Sequence, residues 1–121
     1  MSVPPFEVHL DLSDRPALVV GGGPAAADTV TQLAERGAAV TVVAPTASAE
    51  IASAARHEAV RLVLRDYQRG EVASYRLALC HADDLAVAAQ VFRDAEAAGV
   101  WLCCPDDPAL CSFRVHAEHG P

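Results

Sequence analysis

Apolar residues fall along this chain in two alternating arrangements. A short unbroken run occupies 17–20, and runs that are mainly apolar occupy 39–43, 60–64, 75–80 and 100–104, crossed by Thr41, Arg61 and Arg76. Continuous apolar runs of this length predict strands buried on both faces. Between them, apolar residues recur at helical spacing. Val30, Leu33 and Ala34 do so in 25–36, and Leu85, Ala88, Val91, Phe92 and Ala95 in 84–98, while 48–57 is alanine-rich. Pro24 suits a first helical turn, and Gly37 and Gly99 stand where helices end. Phe6, Val8, Leu10 and Leu12 alternate with polar residues, which predicts a half-buried or edge strand before a turn at 13–16. The polar stretch 67–74 predicts a loop with room for one helical turn.

Strands alternating with helices through short connections imply parallel pairing and right-handed crossovers. The expected fold class is α/β, a three-layer Rossmann-type fold with a mostly parallel, doubly wound sheet, in a single domain over 1–121. No internal repeat, low-complexity tract or linker interrupts it. Residues 112–121 have no apolar period and read as a chain cut before its next element.

The turn after the first buried strand reads Gly21-Gly22-Gly23-Pro24-Ala25-Ala26 and fits GxGxxG/A. The first glycine permits a tight turn, the second brings backbone close to phosphates, and the small third residue seats the helix on the strand. The helix start then offers N–H groups and partial positive charge to a pyrophosphate. An acid about 20 residues on, which commonly binds ribose hydroxyls, is missing. That stretch reads Val43-Ala44-Pro45-Thr46, with no Arg or Lys for a 2′-phosphate. The expected cofactor is therefore NAD rather than NADP, its ribose held by Ala44 and Pro45 backbone and the Thr46 hydroxyl.

Composition narrows the partners. At 52% hydrophobic and 21% charged, the chain has the apolar material for a core. Nine basic residues face sixteen acidic ones, a net charge of −7, with no cationic stretch. Nucleic acid and anionic membrane surfaces are not expected partners. Neither a membrane span nor a secretory signal is read, so the expected compartment is the cytoplasm. Cys80, Cys103, Cys104 and Cys111 show no CxxC spacing and are expected as reduced thiols.

Ligands of open α/β sheets bind beyond the carboxyl ends of the strands. Asp106 and Asp107 follow the fifth strand, where a carboxylate can exchange protons with a substrate, though by composition alone a turn at Asp107-Pro108 with a solvated pair is the better reading. His81, Asp83 and Asp84 follow the fourth. Asp83 is expected either to cap the next helix or to face the cofactor. Cys103 and Cys104, adjacent on a strand, must point to opposite faces, and Cys111 lies within reach of the crevice. His116 and His119 have helical spacing, but no third ligand is in view, and no metal site is expected.

With these residues in place, the chain resembles the NAD-binding N-terminal module of siroheme synthase, found also as stand-alone precorrin-2 dehydrogenase and sirohydrochlorin ferrochelatase. The resemblance is carried by Leu12-Ser13-Asp14-Arg15-Pro16, the strand into Gly21-Gly22-Gly23, and the 37–45 segment ending Val42-Val43-Ala44-Pro45. Ala82-Asp83-Asp84 and Asp106-Asp107-Pro108 with Ser112-Phe113 complete it. It implies oxidation of the tetrapyrrole precorrin-2 to sirohydrochlorin by hydride transfer to NAD, with Asp106 as general acid or base. It also implies cofactor contacts at Pro24, Ala25, Pro45 and Thr46, and a homodimer. Thr29, Ala82, Ala88 and Cys103 stand where the family has Lys, Thr or Ser, Asn and Asn, each expected to remove a polar group from the crevice. The expected domain organisation is a single module lacking the family's dimerisation and C-terminal helical regions. Two other readings stay open: a degenerate, non-catalytic nucleotide-binding module, and a tetrapyrrole metal-handling protein using Asp106 with His116 or His119.

Overall fold

The apolar runs become β1 (Pro16–Val20), β2 (Ala39–Ala44), β3 (Arg61–Leu64), β4 (Leu77–Cys80) and β5 (Trp101–Cys103), of which β3 is only partly covered rather than buried on both faces. The computed structural model describes residues 3–4 and 6–114. All strand pairings are parallel, in the order β3-β2-β1-β4-β5. Three helices connect them: α1 (Pro24–Glu35), α2 (Ala49–Arg56) and α3 (Leu85–Ala98).

Alternate strand residues feed two cores. Ala17, Val19, Val42 and Leu79 pack with Val30 and Leu33 of α1 and Ile51 of α2 on one face. Leu18, Val20, Val43 and Ala78 pack with Val91 and Ala95 of α3 and Val72 of a 3-10 turn (Glu71–Ser74) on the other. The expected three layers are present. Cys103 and Cys104 fall in opposite cores, as strand alternation requires. Residues 67–74 are pinned to α3 through Asp94, which accepts from Tyr67 Oη at 2.8 Å and the Gly70 N–H at 2.7 Å.

The chain leaves β1 toward β2 on one side and returns to β4 on the other. The strand ends on either side of this switch are level, since Val20 pairs with Val43 and with Cys80. That geometry opens a crevice at their carboxyl ends.

The expected strand at 6–12 does not form. Phe6, Val8 and Leu10 are exposed, and only Leu12 packs on the core. Alternation marks a segment with an apolar side, but a strand also needs an edge to pair with. The edges of this sheet are β3 and β5. At β5 the Leu102 carbonyl accepts the Ser112 N–H at 2.7 Å, and Leu102 N–H donates to Ser112 Oγ at 2.8 Å. Ser112 thus occupies the hydrogen-bonding positions that an added strand would need.

Candidate functional site

The three glycines have three different constraints. Gly21 has φ +122°, and a Cβ there would stand 2.9 Å from the backbone C and O of His81. Its N–H donates to the Val43 carbonyl at 3.0 Å, while the His81 N–H donates to the Val20 carbonyl at 2.7 Å. Gly21 is thereby clamped between β2 and the residue after β4. Gly22, the variable position of the motif, is pressed against the β2–α2 connection. A Cβ there would lie 1.9 Å from the Thr46 carbonyl oxygen, and the Gly22 carbonyl accepts from Ser48 N–H at 2.8 Å. At Gly23 a Cβ would meet nothing within 4 Å, so this glycine faces open space. Ala26, in the third motif position, is 1% exposed and lets α1 lie close on the sheet.

The start of α1 differs from those of its neighbours. Ser48 Oγ accepts from Ile51 N–H to cap α2, and Asp84 Oδ1 accepts from Ala86 N–H to cap α3. At α1 the cap is Gly23, without a side-chain hydrogen bond and with no acid in the first turn. The leading N–H groups and the positive end of the helix dipole are left for an anion from outside the chain. They open onto a crevice of about 650 Å³ that runs from the glycine turn past Ala44, Pro45 and Thr46 to His81, Asp83 and Asp106. The donor set, the open space at Gly23 and the crevice fit a dinucleotide pyrophosphate.

Every predicted cofactor position lines this crevice: Gly21, Gly22, Gly23, Pro24, Ala25, Ala44, Pro45, Thr46 and Asp83. Asp106 lines it too, exposed, just beyond β5. Asp107 has the structural part of that pair. It caps the 3-10 turn Pro108–Leu110 through Ala109 N–H at 3.2 Å, and its own N–H donates to the Cys104 carbonyl at 3.0 Å.

Four expectations need correction. Asp84, not Asp83, caps α3, because the helix begins one residue later than the capping expectation for Asp83 requires; Asp83 is left on the crevice lip. Ala88 and Cys103 are buried in the two cores rather than on the crevice, so those departures from the family pattern do not alter its lining. Cys111 does not reach the crevice. Its Sγ is taken up by the Cys104 N–H and carbonyl, each at 3.1 Å. The Cys104 thiol is pushed up by its hydrogen bond with Cys80 and by burial, which leaves it a poor nucleophile. His116 and His119 lie outside the described residues.

Sequence reasoning missed one contact. Thr29 on α1 and His81 lie 52 positions apart, yet Thr29 Oγ1 and His81 Nε2 are 2.8 Å apart. Burial holds the His81 imidazole below its ordinary value, and the Asp106 carboxylate partly offsets this. No local pattern announces such a pair. A smaller groove of about 420 Å³ holds Arg61, Arg65 and Arg69, with Arg65 bound to Glu71 at 2.6 Å. The neighbouring Asp66 and Tyr67 of the same loop line the larger crevice instead.

Residues 8–117 match the family described as "Putative NAD(P)-binding". A siroheme synthase of Pseudomonas putida is 40% identical over 106 residues, covering 86% of this chain and 23% of that enzyme. A siroheme synthase of Methylococcus capsulatus is 37% identical over 106 residues, covering 88% of this chain and 22% of that one. Among solved structures, the precorrin-2 dehydrogenase SirC superposes with a TM-score of 0.80 at 27% sequence identity, covering 93% of this chain and 55% of SirC. The chain thus spans less than a quarter of the siroheme synthases it matches. No helix among the described residues is long and apolar enough to cross a membrane.

Proposed function

The chain belongs to this NAD(P)-binding family, and from that premise we propose that it is an NAD-dependent dehydrogenase module converting precorrin-2 to sirohydrochlorin in siroheme or cobalamin synthesis. One observation carries the proposal: the uncapped α1 N-terminus and the exposed Asp106 carboxylate open on the same crevice. The backbone of Gly21 to Ala25 holds the pyrophosphate. Ala44, Pro45 and Thr46 flank the ribose, and Asp83 closes the lip near it. Among the described residues no arginine lines the crevice, which favours NAD over a cofactor with a 2′-phosphate. NAD, when bound, supplies the hydride acceptor. Asp106 takes the proton that leaves the substrate alongside the hydride. The sequence identity to siroheme synthases and the likeness to SirC support the substrate class. A homodimer is part of the proposal, to be read from sedimentation.

A second reading, nucleotide binding without turnover, has its own observation. Among the described residues Asp66, Asp83, Asp84 and Asp106 line the crevice and no arginine does, a poor welcome for a substrate rich in carboxylates. Calorimetric titration with NAD and NADP, followed by precorrin-2 oxidation assays, separates the two. The dehydrogenase is expected to bind NAD more tightly than NADP and to lose roughly 10²-fold or more in kcat on Asp106→Ala. Failure to bind either cofactor overturns both readings. Binding without oxidation leaves the second.

A further inference from the structure

The Thr29–His81 contact gives the crevice a second group able to carry a proton. His81 is held at two points. Its N–H donates to the Val20 carbonyl at 2.7 Å, and its Nε2 lies 2.8 Å from Thr29 Oγ1. Its backbone carbonyl is also packed against Gly21. The imidazole is half-buried, and both it and Asp106 line the crevice. Leu79 of β4 pairs with Cys103 of β5, so His81 and Asp106 leave neighbouring strands two and three residues beyond that pair, on one rim. The Asp106 carboxylate acts on the imidazole through space. Asp66, Tyr67, Asp83 and Asp84 also line the crevice, and Asp28 precedes Thr29 on α1.

We propose that His81, oriented by Thr29, is a second proton-exchanging group of this site and works as a pair with Asp106. It rests on the dehydrogenase reading above. Oxidation removes two hydrogens from the substrate. One C–H bond breaks with its electron pair, and that hydrogen leaves as hydride for the nicotinamide. A second hydrogen leaves as a proton to the Asp106 carboxylate and passes to the imidazole. With Nε2–H donating to Thr29 Oγ1, Nδ1 carries the lone pair that receives it, and the charged ring then releases the proton to water. Burial suits His81 to this task, because a ring held below its ordinary value is uncharged at neutral pH. Thr29 is a positioning residue, acting through the ring.

Two measurements test the pair. Imidazole titrations by NMR, with His81→Asn assigning the resonance, are expected to show the His81 midpoint falling further in Asp106→Asn. An unchanged midpoint overturns the pairing. Kinetics at saturating NAD are expected to show His81→Asn losing about 10²-fold in kcat, with KM and NAD affinity within about twofold, and losing the acid limb of the pH profile. Thr29→Val should lose less, and Thr29→Ser should restore it. Wild-type turnover and pH profile in His81→Asn overturn this inference alone. A wild-type protein that binds NAD yet leaves precorrin-2 unoxidised overturns the dehydrogenase reading and the role of His81 together.

Discussion

Gly22 and Gly23 are neighbours with opposite requirements, and alanine at each is expected to fail in a different assay. At Gly22 the added methyl meets a backbone oxygen at 1.9 Å, with no flexible side chain to yield. Overpacking of this kind costs about 1–3 kcal/mol, so Gly22→Ala should lower the thermal midpoint clearly. At Gly23 the methyl meets nothing within 4 Å, and φ −83° suits any residue. Gly23→Ala should melt within a few tenths of a kcal/mol of wild type plus the small loss of a glycine cap, yet bind NAD at least about tenfold more weakly, because the methyl projects into the space required by the phosphates. Equal melting of the two variants, or unchanged NAD affinity in Gly23→Ala, would contradict this division. The motif marks both residues as part of one turn. It does not say which glycine faces protein and which faces ligand, because the neighbour that decides this, Thr46, belongs to another connection.

Among the elements, the 65–74 segment depends most on charge. Arg65 holds Glu71 through two hydrogen bonds, at 2.9 and 2.6 Å, and the Arg65 hydrogen bond keeps the Glu71 carboxyl below its ordinary 4.5. At Asp94 burial works upward, but hydrogen bonds from Gly70, Tyr67 and Gln90 outweigh it and hold the carboxyl below 3.8. A depressed carboxyl favours the folded state above its ordinary value, and the contribution is lost as pH falls through the folded one. Glu71→Gln with Asp94→Asn should therefore melt below wild type at neutral pH, and the gap should close as pH drops under about 4.5. His81, depressed by burial, gives both proteins a common decline starting near its ordinary 6.5, since the unfolded chain takes the proton more readily. Thermal midpoints against pH check both statements. The other elements were more legible in sequence. Strands buried on both faces write themselves as mainly apolar runs, and α1 carries its proline start and glycine stop. The Phe6–Val8–Leu10 alternation misled because periodicity reports a face, not a partner. The Asp83 cap missed by one residue because the aspartates at 83 and 84 are equally able to cap, and only the position of the first helical turn decides between them.

At the scale of the whole molecule, the sheet order brings the ends of β1, β2, β4 and β5 to one rim. Every cofactor position named from the sequence lines one crevice. What the sequence lacked was distance: Thr29 and His81 meet only because the β1–β4 pairing carries them together across 52 residues. Since the crevice is lined by residues that follow each of the five strands, a ligand there should stabilise the whole chain. NAD at a hundredfold excess over its Kd should add about 2.7 kcal/mol, a rise on the order of 10 °C in a domain of this size. NADP at the same concentration should give less, and equal shifts would remove the basis for preferring NAD. The clamp on Gly21 and Gly22 has a wider consequence. The anion seat is made of main chain and of missing side chains, held by β2, β4 and the start of α2. Substitutions among the crevice side chains leave that seat in place. Holding the nucleotide and acting on a second molecule are therefore separable traits in this scaffold: the first is inherited with the glycines, and the second can be rewritten one side chain at a time.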